Sequence, residues 1–330
     1  MRPVLSVALC TFNGCKYLKE QLLSIVGQEL IVDEIVICDD GSDDETLTIV
    51  NAIANNYPNI QWIIERNIQS LGVTKNFEKA LSLCSGDIIF LSDQDDVWKP
   101  YKTRIIVDYL EKHPEVDLVF SDAELIDGNG NLKTDKTLFD ACGLNQLREQ
   151  WDLGMQFEIE NVIQRLLGAT FGMRREFVKR CLPFDSQISN YHDGQLAMTS
   201  VAQNCNGMID EPLIEYRIHG NNVVGLGGNN NWVFSGNNRP YEFANLIEPR
   251  PVHPFFLSSK ADKIRNRVSF YQKRFKGYSS IKGKVSLILS LSQYRKYYKK
   301  FWRYFFLSDV LYGFFNNLRT KIVNLPCKQR

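Results

Sequence analysis

The sequence predicts an α/β fold in which a mainly parallel, Rossmann-like sheet carries helices on both faces. Three observations support this prediction: short apolar runs of strand length, helical spacing between them, and regular alternation of the two over the first 122 residues. The 330-residue chain is 44% hydrophobic and 23% charged, which is typical of a globular protein and excludes general disorder.

Five apolar runs rich in Ile, Val and Phe predict strands that are buried on both faces. They are 4–10 (VLSVALC), 34–40 (EIVICDD), 60–65 (IQWIIE), 87–93 (DIIFLSD) and 117–122 (DLVFSD). The first run is too short for a signal peptide and continues into TFNG instead of a small-residue cleavage site. No run approaches the roughly 18 apolar residues of a membrane-spanning helix.

Helices are predicted between these strands, because apolar residues recur there at helical spacing. The apolar stripes cover 17–26, 77–84 and 105–110. In a parallel sheet, the carboxyl ends of the strands meet at one edge, and binding sites form there. Three polar segments follow predicted strands, namely TFNG (11–14), DDGSDDET (39–46) and SDQDD (92–96). We therefore expect these segments to converge on one site.

The segment SDQDD places three carboxylates within four residues, those of Asp93, Asp95 and Asp96. Hard divalent cations such as Mg²⁺ and Mn²⁺ bind one or two carboxylates together with substrate phosphate oxygens. The segment therefore predicts a metal site that a phosphorylated substrate completes. The alternative is a solvated helix N-terminus, where acids are favoured by the helix dipole, and Asp96 could have that role alone.

The segment DDGSDDET offers a second group of acids. Asp39 and Asp40 exceed what helix capping needs and are candidates to accept hydrogen bonds from a base N–H or a ribose hydroxyl. Asp43 and Asp44 fit turn and cap chemistry equally well. In TFNG, Phe12 could stack on a base or fill the core.

Two polar pairs follow further along the chain. His192 and Asp193 come before a predicted helix and, taken alone, fit a structural histidine and a helix cap. Arg217 and His219 lie between a predicted strand and a loop rich in Gly and Asn. They could meet phosphate or metal, or they could be an exposed strand residue and a turn residue.

In order along the chain, SVALCTFNG, EIVICDDGSDDET, GDIIFLSDQDDVWKP and YHDGQLA resemble the motifs of glycosyltransferase family 2. The similarity covers roughly 4–225 and is greatest to soluble bacterial members that build O-antigen and other surface polysaccharides. It implies a GT-A fold, a nucleotide-sugar donor, a Mn²⁺ or Mg²⁺ cofactor and inversion at the anomeric carbon. It also implies a GT-A domain over 1–225, with a nucleotide-binding half (1–122) and an acceptor half (123–225).

The same resemblance implies roles for individual residues. Asp40 would meet the nucleobase with Phe12 packed beside it, and Asp39 would belong to the same nucleotide site. The matched DxD position, which binds ribose and the metal diphosphate, is formed by Asp93, Asp95 and Asp96.

On the acceptor side, Asp193 matches the catalytic base, and His219 matches a downstream histidine that faces the diphosphate or the metal. The chain departs from its relatives at His192, where they often carry Glu, and at Gly194 and Gln195, where they often carry bulky aromatics. These departures leave the choice of acceptor open.

For the donor and acceptor, the resemblance favours UDP-glucose and a GlcNAc linked to a lipid diphosphate, in O-antigen or lipopolysaccharide biosynthesis. The alternative within the pathway is transfer of rhamnose from dTDP-rhamnose. A different class, a non-enzymatic membrane-associated scaffold, is the alternative if the acids are only caps. The chain has no GxGxxG after its first strand and no Walker-type loop, which argues against a nicotinamide dehydrogenase and a P-loop phosphoryl-transfer enzyme.

The C-terminal segment 273–330, separated from the GT-A domain by a connecting region (226–272), differs in charge from the rest. It holds 14 Lys and Arg against one acid, a charge of +13, whereas 1–272 carries about −12. Its interleaved aromatic and basic residues predict peripheral binding to an anionic membrane, the cytoplasmic face of the bacterial inner membrane. The alternative is a helix packed on the catalytic domain. The acidic body argues against nucleic acid, and eight cysteines without a CxxC pair favour a reducing cytoplasm.

Overall fold

The computed structural model describes residues 2–142, 144–145, 166–185, 189 and 191–219. Its strands are β1 (Leu5–Thr11), β2 (Glu34–Asp39), β3 (Gln61–Arg66), β4 (Ile88–Ser92), β5 (Val97–Trp98), β6 (Leu118–Ile126), β7 (Phe171–Arg174) and β8 (Asn206–Arg217). Its helices are α1 (Leu18–Val26), α2 (Thr46–Asn56), α3 (Val73–Leu83), α4 (Lys102–Lys112), α5 (Leu138–Cys142), α6 (Arg175–Cys181) and α7 (His192–Gln203). The predicted connecting region and basic tail lie outside the described residues.

The strands form one sheet in the order β3-β2-β1-β4-β7-β6-β8-β5. The first four strands along this order are parallel, as the strand–helix alternation predicts. β7 is antiparallel to both β4 and β6, and the two-residue β5 is antiparallel to β8. The sheet is therefore mixed, and β5 and β7 are additions to the strands that the apolar runs predict.

Helices cover both faces of the sheet, which confirms the predicted layering. Successive residues of a strand point to opposite faces, so Val7 belongs to one apolar core and Ala8 to the other. Apolar residues of α1, α2 and α4 complete the first core. Those of α3, α6 and α7 complete the second.

The packing of α4 on the sheet depends on a glycine in β7. A Cβ atom on Gly172 would lie 2.3 Å from Cγ2 of Ile106, so only glycine permits this close approach. Gly172 lies opposite Phe90 of β4, so the contact packs the second turn of α4 on the middle of this strand pair. Lys102, the first residue of α4, lies near the carboxylates of Asp93 and Asp96.

Within the described ranges, none of the helices combines the length and the apolar character that crossing a bilayer requires. The seven cysteines in these ranges are all free thiols. Cys38 and Cys84 are buried, as their apolar surroundings in the sequence predict.

Candidate active site

The polar segments that follow β1, β2 and β4 lie side by side at the carboxyl edge of the sheet. β1 pairs with both β2 and β4, so Thr11 is opposite Asp39, and Leu9 is opposite Ser92. We name the segment after β1 the base-side loop (residues 12–15) and the segment SDQDD the acid loop (residues 92–96). The predicted convergence of the three segments is therefore confirmed.

Asp39 is fully buried at the end of β2 and accepts hydrogen bonds from neighbouring protein groups. Its Oδ1 accepts from Thr11 Oγ1 at 2.8 Å and from Ser42 Oγ at 2.5 Å. Its Oδ2 accepts from the backbone N–H of Ser42 at 2.9 Å. The carboxylate thus ties β1 to the turn that follows β2.

Asp40 accepts four hydrogen bonds, all from the segment between β3 and α3. Oδ1 accepts from Asn67 Nδ2 at 2.8 Å and from the Leu71 N–H at 2.7 Å, and Oδ2 accepts from Ser70 Oγ at 2.6 Å and from the Gly72 N–H at 3.0 Å. Burial on its own raises the pKa of Asp40, but these hydrogen bonds outweigh burial and lower the pKa below its usual value. Its contact with a nucleobase stays a prediction; in the structure the carboxylate holds segment 67–72 in place.

The base-side loop presents an exposed aromatic ring. Phe12 is 54% exposed, so the alternative that it fills the core is wrong. Asn13 has a positive φ of 47°, and the N–H groups of Asn13, Gly14 and Cys15 donate to side chains of the turn after β2. Within that turn, Asp44 also accepts from the N–H of Thr46, at the start of α2, and so has cap character.

Two of the three acids of the acid loop, Asp93 and Asp96, have raised pKa values. Burial, followed by the charges of Asp95 and Asp193, raises the pKa of Asp93 to about 7. Burial, followed by the charges of Asp95 and Asp93, raises the pKa of Asp96 well above its usual value. Oδ2 of Asp96 is buried and has no hydrogen-bond partner. Asp96 is 1% exposed and leads into β5, so the alternative of a solvated helix N-terminus is wrong.

A buried lysine lies beneath these acids. Lys102 is fully buried, its Nζ donates to the backbone carbonyl of Ala169 at 2.7 Å, and the ammonium sits 3.9 Å from the centre of the Trp98 ring. Burial lowers the pKa of Lys102 to about 7, although the charges of Asp96 and Asp93 act in the opposite direction. Nothing in the apolar pattern of this helix indicated a buried cation.

Arg217 and His219, at the end of β8, attach to the acid loop. Arg217 is 1% exposed, so the alternative of an exposed strand residue is wrong. Its N–H donates to Asp96 Oδ1 at 3.0 Å and its Nε donates to the carbonyl of Asp95 at 2.7 Å. Its Nη2 also donates to Glu20 Oε2 on α1 at 2.6 Å. His219 Nε2 lies 2.8 Å from Asp95 Oδ2, which places this histidine next to the predicted metal ligands.

Asp193 lies in the first turn of α7, not before the helix, and the N–H of Gly194 donates to its Oδ1 at 2.7 Å. Its negative charge contributes to the raised pKa of Asp93, so the predicted base and the acid loop belong to one site. Gly168 packs against Asp193, since a Cβ atom there would lie 3.2 Å from Asp193 Cβ.

His192 is buried and stacks on Phe77, with ring centres 3.8 Å apart. Burial lowers the pKa of His192, in spite of the neighbouring charge of Asp193. A neutral imidazole packed against an aromatic ring fits the structural alternative that the sequence left open. Its Nδ1 has no hydrogen-bond partner.

The acid loop fits a hard divalent cation whose coordination shell is completed from outside the protein. Its donors are carboxylates, and burial followed by the charges of neighbouring carboxylates raises the pKa of two of them, Asp93 and Asp96. One buried oxygen, Oδ2 of Asp96, still has a free acceptor position. Across the described part of the chain, no three His, Cys, Asp or Glu side chains are arranged to hold a metal by themselves.

The family model described as Glycosyl transferase family 2 matches residues 6–182. The chain is 30% identical over 227 residues to the dTDP-rhamnosyl transferase RfbG of Shigella flexneri, covering 66% of this chain and 73% of that one. It is 32% identical over 130 residues to the chondroitin synthase of Escherichia coli and 27% identical over 220 residues to an uncharacterized glycosyltransferase, alr2836, of Nostoc. These two matches span 39% and 66% of this chain, and only 18% and 66% of the respective relatives.

Solved structures agree on the fold. S. aureus TarS 1–349 in complex with UDP has a TM-score of 0.54 at 17% identity, with 89% of this chain and 91% of that chain covered. The mannosyltransferase PcManGT of Pyrobaculum calidifontis, solved with GDP-Man and Mn²⁺, has a TM-score of 0.50 at 16% identity, with 94% and 85% covered. The predicted GT-A fold is thereby confirmed. The match of the family model over more than half of the chain shows that the chain belongs to glycosyltransferase family 2.

Proposed function

We propose that the protein is an inverting, metal-dependent glycosyltransferase that moves a hexose from a nucleotide-sugar to a sugar on a lipid diphosphate. One observation supports this proposal above the others: the acid loop and Asp193 lie together at the carboxyl edge of the sheet, close enough for Asp193 to raise the pKa of Asp93. A donor diphosphate and an acceptor hydroxyl need this pair of neighbouring sites.

The residues of the acid loop bind the donor on one side of the reacting carbon. A bound Mn²⁺ or Mg²⁺ would offset the negative charge that grows on the leaving diphosphate. Asp93, Asp95 and Asp96 would hold this ion, with His219 beside Asp95. Arg217 fixes the loop through its bonds to Asp95 and Asp96 and keeps the carboxylates in place.

Asp193 acts on the other side as the general base. It takes the proton of the acceptor hydroxyl while that oxygen attacks the anomeric carbon from the face opposite to the diphosphate, which inverts its configuration. The hydrogen bond from Gly194 and the packing of Gly168 fix the direction of the carboxylate.

The first prediction concerns this base. Asp193→Asn keeps the size of the side chain but cannot accept the proton, so turnover should fall by at least ~10²-fold while the Kd of the nucleotide stays nearly unchanged. Steady-state kinetics and calorimetry measure the two quantities. Asp87→Asn, an exposed acid that precedes β4 at the opposite edge of the sheet, is the matched control. Normal turnover of the Asp193 variant would contradict the assignment, and a product with retained configuration by NMR would contradict the inverting mechanism.

Two donors compete in this proposal. The sequence resemblance favours UDP-glucose, whereas the likeness to the dTDP-rhamnosyl transferase RfbG over 73% of its length favours dTDP-rhamnose. The abequosyltransferase RfbV of Salmonella typhimurium, 33% identical over 117 residues, matches only 35% of each chain and does not decide between the two donors. Purified protein is incubated with each donor and a synthetic GlcNAc-diphosphate-lipid, and the product is identified by mass. Absence of transfer from every donor, with the protein folded, would favour the scaffold alternative.

The acceptor proposal extends to the basic tail, 273–330. A sugar on a polyprenyl diphosphate lies at the inner-membrane surface, and each basic residue near an anionic surface contributes about 1 kcal/mol. We expect full-length protein to float with anionic vesicles and protein truncated before Lys273 to float less. High salt should weaken the binding of the full-length protein. Equal flotation of both proteins would leave the tail without a membrane role.

A further inference from the structure

The side chain of Gln94, in the middle of the acid loop, is bonded to the backbone of the base-side loop. Its Oε1 accepts from the N–H of Phe12 at 2.9 Å, and its Nε2 donates to the carbonyl of Phe12 at 3.0 Å. The carboxamide therefore pairs with one residue in the way that a neighbouring strand would. Both polar groups of the Phe12 backbone depend on this one side chain.

The rest of the base-side loop is held from the opposite direction. The N–H of Asn13 donates to Ser42 Oγ at 2.9 Å, that of Gly14 to Thr46 Oγ1 at 2.8 Å, and that of Cys15 to Asp44 Oδ2 at 3.1 Å. All four consecutive N–H groups of the loop thus donate to side chains of other segments. The turn after β2 supplies three of these acceptors, and Gln94 supplies the fourth.

Glycine at position 14 leaves room for the glutamine. A Cβ atom on Gly14 would lie 2.2 Å from Oε1 of Gln94, so any other residue there would displace the end of this side chain from its hydrogen bonds. The glutamine side chain is therefore closely packed against the base-side loop.

We propose that Gln94 is a positioning residue that holds the exposed ring of Phe12 at a fixed distance from the acids at positions 93, 95 and 96. This inference rests on the proposed function, in which the donor diphosphate lies at the acid loop, and on the predicted packing of the donor base beside Phe12. A nucleoside diphosphate has a rigid base and a charged diphosphate several bonds apart. Gln94 makes the two binding surfaces one unit, so both ends of the ligand are bound together.

The proposal predicts that loss of Gln94 weakens the binding of a nucleotide more than the binding of diphosphate alone. Gln94→Met keeps the length of the side chain and removes both hydrogen bonds, which frees the Phe12 backbone but leaves every acid in place. The Kd of UDP or dTDP with Mn²⁺, whichever binds the unaltered protein, should rise by about 10-fold. The Kd of inorganic diphosphate with Mn²⁺ should change by less than about 2-fold, since diphosphate does not reach Phe12. Gln61→Met, on the exposed start of β3, is the matched control for the same substitution far from the site.

A double-mutant cycle with Phe12→Ala tests the link directly. Phe12→Ala should weaken nucleotide binding by about 10-fold in the unaltered protein and by less than about 3-fold in the Gln94→Met background. Gln94→Asn, which keeps the amide but is too short for both bonds, should give the same pattern if Gln94→Met folds poorly; calorimetry and thermal unfolding measure binding and folding for each variant.

Additive effects of the two substitutions, or an equal loss of nucleotide and diphosphate binding, would overturn the inference and leave Gln94 a support of the acid loop alone. A folded, unaltered protein that binds neither UDP nor dTDP nor GDP would overturn the proposed function, and this inference with it. If the unaltered protein binds a nucleotide but the effects of the two substitutions are additive, only the inference on Gln94 is overturned.

Discussion

Two groups of carboxylates follow neighbouring parts of the same sheet, and their surroundings are opposite. Asp39 and Asp40, after β2, accept hydrogen bonds from serine, threonine, asparagine and backbone donors, and the pKa of Asp40 is lowered. Asp93 and Asp96, after β4, have raised pKa values, and one oxygen of Asp96 has no partner. The first group has its compensating donors within the protein. The second group is less fully compensated within the protein, which is what the proposed cation site would need.

The largest expected effect comes from neutralising an acid of the second group. Asp93→Asn should reduce turnover by at least ~10²-fold, because a donor ligand of the cation and its charge are lost. At pH 8 the free energy of unfolding of this variant should be higher than that of the unaltered protein by about 1 kcal/mol. Turnover and urea unfolding are measured on the same preparation.

The sign of the stability change follows from the raised pKa. In the folded protein Asp93 keeps its proton up to about pH 7, whereas in the unfolded chain it ionises near 3.8. The stability contributed by the protonated form is therefore present at low pH and lost as the pH rises from 3.8 through about 7. Asparagine does not ionise, so its advantage over Asp93 should shrink toward pH 4. A less stable variant at pH 8 would show that Asp93 is already compensated within the protein.

The second prediction compares the acid loop with and without its cation. Mn²⁺ and inorganic diphosphate, added at about 100 times the Kd measured at pH 8, should stabilise the fold at that pH by about 2.7 kcal/mol, a rise in Tm of about 5 °C. At the same concentrations the rise should be smaller at pH 5.5, because there the cation must displace a proton from Asp93. Differential scanning fluorimetry measures both values, with Asp93→Asn as the control. An equal rise at the two pH values would contradict Asp93 as a ligand.

The last prediction concerns the first group, where neutralising an acid should lower the stability of the fold instead of raising it. Asp40→Asn should destabilise the fold by about 2 kcal/mol at pH 7, because an amide cannot accept all four hydrogen bonds that the carboxylate accepts. The lowered pKa of Asp40 means that its contribution is present above the unfolded value of 3.8 and is lost as the pH falls. The difference between the two proteins, measured by urea unfolding, should therefore shrink in acid. Asp43→Asn, an exposed neighbour in the same turn, should change stability by less than about 0.5 kcal/mol.

The sequence predicts the parallel half of the fold well, because strands buried on both faces leave long apolar runs. The predicted runs 4–10, 34–40 and 60–65 each lie within a residue or two of β1, β2 and β3. β5 and β7 were missed for a physical reason, since strands of two and four residues are too short to show a period.

The position of a site residue could be predicted where it depends on strand ends, and not where it depends on distant partners. The convergence of Asp39 and Asp93 follows from the ends of β2 and β4, which both neighbour β1, whereas Asp193 was indicated only by the resemblance. The buried state of Lys102 and Arg217 does not follow from strand ends, because their partners, Ala169 and Asp95, are 67 and 122 residues away along the chain. The lowered pKa of Asp40 could not be predicted from the sequence either, because it depends on hydrogen-bond donors from segment 67–72.

The bond between Arg217 and Asp96 has a consequence for synthesis of the chain on the ribosome. The bond of Thr11 with Asp39 joins residues 28 positions apart, and that of Gly72 with Asp40 joins residues 32 positions apart. The acid loop has partners that lie 121 to 124 positions downstream. At a synthesis rate of about 5–20 residues per second, that interval lasts roughly 6 to 25 seconds. A nascent chain therefore acquires the contacts of Asp39 and Asp40 first, and its acid loop is assembled only after β8 has emerged.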